Sequence, residues 1–215
     1  MGRLSEALWL SVLRRGGKFG LYEMQPYAMD ARGHRKKNAK SKHVPKGIID
    51  LPTTGPRYSA RQHLTDVGPG GLVPNTKEVG TFLYFAKGNV PTVDALLCLP
   101  AAKGDEVFGK GSTLASAGAP LGMTVLALQM TVNTAHDLKG SGLKIVLDTV
   151  ARACGPGKHC VHYVVVTNEQ CAAAMEWTKP SAVDPVDERF ANVKQWVLVV
   201  DENAVVEATE GEKRV

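Results

Sequence analysis

The longest nearly uninterrupted apolar stretch, Thr124 to Val132, carries β-branched Val125, Thr131 and Val132, and this predicts a buried strand. A period of two puts Val125, Ala127, Gln129 and Thr131 on one face, with Leu126, Leu128, Met130 and Val132 on the other. Gln129 and Thr131 are thus an amide and a hydroxyl two positions apart on one side of a core strand. Such a pair either closes a buried hydrogen-bond network or faces a site.

The rest of the chain divides by the same criterion. Leu4, Leu8 and Val12, with their neighbours Trp9 and Leu13, recur at helical spacing, and Gly16-Gly17 end that helix. Trp9 belongs to the core or its margin. Residues 18–24 alternate, as a strand does. Residues 26–78 hold six prolines, many glycines and little periodicity, so they are expected to form a long irregular insertion. Thr81 to Phe85 reads as a strand, Lys87-Gly88-Asn89 as a turn, and Val93 to Leu99 as a strand halted by Pro100. Asn133 to Lys139 is a polar turn. Gly142 to Cys154 follows as a helix, with Leu143, Val146, Leu147, Val150 and Ala151 inward and Lys144, Asp148 and Arg152 spaced by four outside. Residues 159–167 form a strand with an apolar Tyr163 to Val166 centre, Asn168 to Trp177 a short helix, and Val193 to Val200 a last strand. This order predicts an α/β domain over residues 1–200, a mixed central sheet flanked by helices, and a frayed acidic tail over 201–215.

Composition changes this picture little, but the distribution of charge changes it more. The chain has 215 residues, 44% hydrophobic and 22% charged, which suits one well-buried domain. No apolar run approaches the roughly 18 residues of a membrane span, and the start lacks a signal-peptide pattern. An intracellular, nuclear or cytoplasmic protein with reduced cysteines and no membrane partner is expected. The formal net charge is +5, yet Arg32, Arg35, Lys36, Lys37, Lys40, Lys42 and Lys46 contribute seven positive charges with no acid among them. Without them the chain is slightly acidic. This run suits nucleic-acid phosphates or nuclear import, or else is a solvated loop, since no aromatic lies within it to stack on bases.

Three further constellations carry candidate chemistry. Gly104 to Lys110 matches the start of a phosphate-binding GxxxxGK loop, but Gly111 stands where a magnesium-binding hydroxyl belongs, and the glycines and proline beyond it do not sustain a helix. Cys154, His159, Cys160 and His162 lie close together, yet no second spaced pair completes a zinc site; buried thiols and an edge histidine are expected instead. Asp94 stands at the mouth of an apolar strand. A carboxylate there needs a cation, a metal or a hydrogen-bond donor, so it is either a functional acid or a residue that starts the strand by local hydrogen bonding.

The helix before Gly-Gly-Lys-Phe19, then Gly80-Thr-Phe-Leu-Tyr, Asn89-Val-Pro-Thr-Val-Asp94-Ala, Leu126-Ala-Leu-Gln129-Met-Thr131-Val, Tyr163-Val-Val-Val and Gln195-Trp-Val-Leu resemble the C-terminal region of the trypanosomatid retrotransposon hot spot proteins. The resemblance covers nearly the whole chain. Full-length relatives carry a P-loop ATPase region ahead of this part, so the resemblance implies a truncated copy or a C-terminal piece. It also implies a restriction-endonuclease-like fold, related to the nuclease-type domains of Crinkler effectors. In that fold an Asp on one strand and a Glu or Gln, x, Lys on the next converge on Mg²⁺ and a water. By position Asp94 would be the metal aspartate, Gln129 the second metal ligand, and Thr131 would stand in the lysine place. Gln129 brings no charge and Thr131 no ammonium, so only a lysine from elsewhere, such as Lys144, would complete the chemistry. Two functions follow as expectations: a catalytically degraded module that binds nucleic acid or nuclear protein partners, or a Mg²⁺-dependent nuclease using Asp94 and Gln129.

Overall fold

Strand alternation and helical apolar stripes build a seven-stranded mixed sheet in the order β2-β1-β7-β6-β5-β4-β3. The computed structural model describes residues 9–13, 15–26, 42–51, 67–68, 81–84, 90–108, 123–134, 137–154, 160–181 and 187–201. The strands are β1 Gly17–Gln25, β2 Lys42–Leu51, β3 Thr81–Tyr84, β4 Ala95–Pro100, β5 Met123–Met130, β6 Cys160–Thr167 and β7 Lys194–Val199. Helical residues 9–13 form α1, followed by α2 Ala101–Phe108, α3 Gly140–Cys154 and α4 Glu169–Ala172, with a 3-10 turn at Glu188–Asn192. The pairs β5–β6 and β6–β7 are parallel; the other four are antiparallel.

The parity of each strand sorts its side chains into two cores. Leu96 and Cys98 of β4, Val125 and Ala127 of β5, Val161, Tyr163 and Val165 of β6 and Val197 of β7 pack with Leu143, Val146 and Val150 of α3 and with Cys171 and Ala172 of α4. Ala95, Leu97, Leu126, Leu128, Val164, Val166, Trp196 and Leu198 face the other way, toward Trp9 and Leu13 of α1 and Phe108 of α2. Burying a large apolar side chain stabilises the fold by about 1.5–3 kcal/mol. The central strands, which contribute to both layers, therefore dominate the stability.

The expected mixed α/β sheet with flanking helices is the observed architecture. Two segments add elements that the expected order did not contain. Residues 42–51, assigned to the irregular insertion of 26–78, form β2, which pairs antiparallel with β1 from Gly17↔Leu51 to Gln25↔Lys42. Ile49 and Leu51 of β2 turn into the core, while Ile48 is 69% exposed. A register shift between Leu21 and Tyr22 and the proline at 45 hide the alternation. The hydrogen bonds that make this segment a strand come from β1, beyond the reach of a local pattern. Residues 101–108 are the second difference, a helix directly after β4. Glycine inside a helix costs about 1 kcal/mol, but a β-carbon at Gly104 would run into the Thr124 side chain, so close packing on β5 explains this residue.

Candidate active site

Asp94 lies one residue before β4, where continuation of the Ala95↔Leu128 register places it opposite Gln129. Its backbone N–H donates to the Leu128 carbonyl at 2.8 Å, and its carboxylate Oδ2 accepts from the Met130 N–H at 2.6 Å. The carboxylate thus closes the end of the β4–β5 ladder with a charge-assisted hydrogen bond. On the neighbouring strand, Gln129 Oε1 accepts from the Tyr163 hydroxyl. Tyr163 is paired in register with Ala127, on the α3 side of the sheet, and its ring reaches forward to Gln129. Burial pushes the Tyr163 phenol well above the usual tyrosine range, and the nearby Asp94 charge adds to that shift. Three adjacent strands therefore supply one cluster, Asp94, Gln129 and Tyr163.

The first turn of α3 fixes the Asp94 loop. Thr92 holds a left-handed backbone, φ 63°, and its hydroxyl accepts from the Lys139 N–H at 3.2 Å. For a β-branched residue that conformation is strained and persists only under tertiary restraint. Gly142 supplies part of the restraint, because a β-carbon there would overlap the Pro91 carbonyl. Gly140 N–H donates to Ser181 Oγ at 3.0 Å, and Ser181 N–H to the Leu138 carbonyl at 2.9 Å, which ties the same turn to the segment ahead of β7.

Thr131 and Lys144 are placed differently. Thr131 continues β5 by donating its N–H to Val166 O at 3.1 Å, and its hydroxyl accepts from the Asn133 N–H at 3.0 Å, a local turn contact. Lys144 sits on α3, where its ammonium pairs with Asp148 at 2.6 Å; Arg189 bridges Asp148 at 2.6 Å and Asp187 at 2.5 Å. Partial burial pushes Asp148 upward, but Lys144 and Arg189 outweigh it and hold the carboxyl below its usual range. Its hydrogen bond to Arg189 lowers Asp187, and the same contact raises the guanidinium. Lys144 thus belongs to a helix-surface ion network.

The donor set at Asp94 and Gln129 does not fit a Mg²⁺ centre. It offers one carboxylate with an oxygen committed to a backbone N–H and one neutral amide whose oxygen accepts the phenol hydrogen bond, whereas Mg²⁺ favours oxygen ligands of higher charge in near-octahedral array. Among the described residues, no three His, Cys, Asp or Glu side chains are grouped to hold a metal ion.

Of the basic run, Lys42 and Lys46 fall on β2, and Lys46 is 3.0 Å from Glu23 of β1. Arg32, Arg35, Lys36, Lys37 and Lys40 lie outside the described residues, as do His159, the turn at 87–89 and the tail beyond 201. His162 is fully buried on a central strand, with Nδ1 accepting from Trp196 Nε1 at 3.0 Å and the ring stacked on Phe108. Burial, aided by Lys194, pushes its pKa down to about 3. Tyr163 was legible only as part of an apolar strand centre. The available signal was its hydroxyl, carried by a strand that the parity of Gln129 needed as a neighbour. No helix of the described residues is long and apolar enough to cross a membrane. Comparison with protein-family models, curated proteins and solved structures finds no match to this chain.

Proposed function

We propose that this chain is a non-catalytic nucleic-acid-binding module of restriction-endonuclease-like descent, as its resemblance to the retrotransposon hot spot C-terminal region implies. The observation that carries the reading is the internal engagement of every residue a nuclease centre would use. Asp94 closes the β4–β5 ladder, Gln129 receives Tyr163, Thr131 holds a turn and Lys144 pairs with Asp148. The β3-β4-β5 meander followed by α3 and parallel β6 supports the descent, because it sets Asp94 and Gln129 on adjacent strands as that fold requires. A hydrolytic step needs a metal to stabilise charge and a base to activate water. A hydrogen-bonded amide and a threonine supply neither.

The binding surface in this reading is the basic run from Arg32 to Lys46, acting on phosphates, within the nucleus. Its test is fluorescence anisotropy with labelled single- and double-stranded DNA and RNA across a salt series, with EDTA present. Affinity should fall steeply with salt, and each basic residue neutralised should flatten the slope of log K against log salt by about 0.7–0.9. Binding that requires a divalent cation, or that ignores replacement of the run, contradicts the proposal.

A further inference from the structure

The cover that α3 and α4 give to one face of the sheet thins toward the β1–β2 wing. On that face β1 passes from buried Met24 through half-buried Tyr22 and Gly20 to exposed Lys18. The register sets Gly20 between Ile48 of β2 and Val199 of β7, and Tyr22 between Pro45 and Val197. Ile48 is 69% exposed although its neighbour Ile49 is buried. A β-carbon at Gly20 would lie 3.4 Å from Tyr22 Cε2 and 3.8 Å from the Tyr22 hydroxyl oxygen, so the ring leans back along β1 over bare glycine backbone. Ile48, Gly20, Tyr22 and half-buried Val199 thus form a shallow apolar floor that holds one aromatic ring. A single exposed aliphatic side chain is ordinary. This one adjoins an aromatic ring on the hairpin that carries the chain's positive charge. Residues 26–41 join β1 to β2, whose ends meet at Gln25↔Lys42, and include Arg32, Arg35, Lys36, Lys37 and Lys40 against one carboxylate, Asp30. Lys18 and Asp50, opposite in register beside the floor, offset one another, and Lys46 is 3.0 Å from Glu23. The floor is therefore close to neutral, and the positive charge lies in the connection next to it.

We propose that Tyr22, Gly20 and Ile48 take up unpaired bases of a single-stranded nucleic acid whose phosphates the basic run holds, an assignment that rests on the nucleic-acid reading above and adds to it a preference for single strands. A base has a flat apolar face, which an aromatic ring and an aliphatic side chain cover well. A duplex keeps those faces stacked inside and presents its phosphates to the same charges. The two contributions separate by their response to salt. Phosphate contacts weaken as salt rises because they release counterions, whereas stacking on the floor releases none.

Fluorescence anisotropy of the full chain with one labelled oligonucleotide, single-stranded or annealed to its complement, across a salt series tests the floor. Tyr22→Leu keeps an apolar side chain against the core and removes the ring. It should weaken single-strand binding about tenfold, leave the slope of log K against log salt unchanged, and alter duplex binding by less than about twofold. Ile48→Trp adds a ring at an exposed position and should strengthen single-strand binding about fivefold, again without a change of slope. It decides the matter alone if Tyr22→Leu does not fold. Single-strand affinity unchanged in both variants, or changed equally on the duplex, overturns the floor and leaves phosphate binding by the basic run standing. Failure of the parent chain to bind either probe removes both.

Discussion

Asp94 shows how one carboxylate supports opposite expectations until its partner is known. With its oxygen on the Met130 N–H, Asp94→Ala leaves a partly buried donor unpaired and should cost about 2 kcal/mol, or roughly 4–8 °C in Tm for a chain of this size. Asp94→Asn keeps an acceptor in place and should lose less than half of that. Equal losses in thermal melts of the two variants would contradict the ladder-closing role. Tyr163 extends the test to alkaline pH. Its phenol is held protonated in the folded chain and ionises near 10 when unfolded, so stability is present below that pH and is lost as pH rises through it. Urea midpoints should decline above pH 10 by more in the parent chain than in Tyr163→Phe; parallel curves would sink the assignment. The polar parity of Gln129 and Thr131 was legible in the sequence, and the family resemblance implied adjacent strands for Asp94 and Gln129. Neither showed which donors meet them, because the Met130 N–H and the Tyr163 hydroxyl arrive through tertiary register.

At the scale of elements, those with strong periodicity were legible. The strands β1, β4, β5, β6 and β7 and helix α3 fall where alternation or the 3.6-residue stripe puts them, within two residues at most ends. Elements whose stability comes from a neighbour were not. β2 depends on β1 for its hydrogen bonds, and α2 contains a glycine that local propensity penalises but close packing on Thr124 requires. Pro45 and the register shift beside it also blunt this outer strand, a common protection against edge-to-edge pairing. Where an element is pressed against backbone, substitution should be severe. Gly142→Ala must displace α3 from the Pro91 carbonyl, at a cost of about 3 kcal/mol, while Ser141→Ala, at an exposed neighbouring position, should stay within about 0.5 kcal/mol. Comparable denaturant midpoints for the two variants would show that the α3 turn is not the clamp on the Asp94 loop.

For the molecule as a whole, the proposed nuclease-like descent and the proposed loss of catalysis are separable properties. The sheet positions Asp94 and Gln129 as neighbours, and the same hydrogen bonds that hold them there occupy the groups hydrolysis would need. Local charge, concentrated between Arg32 and Lys46, is what the proposed binding role rests on. The measurement that tests this most directly is incubation of the chain with labelled single- and double-stranded DNA and RNA in Mg²⁺ or Mn²⁺, beside Asp94→Asn, reading cleavage and retention from the same samples. We expect intact, salt-sensitively retained nucleic acid in both; metal-dependent cleavage that disappears in Asp94→Asn would contradict the non-catalytic reading and make Asp94 and Gln129 a working centre.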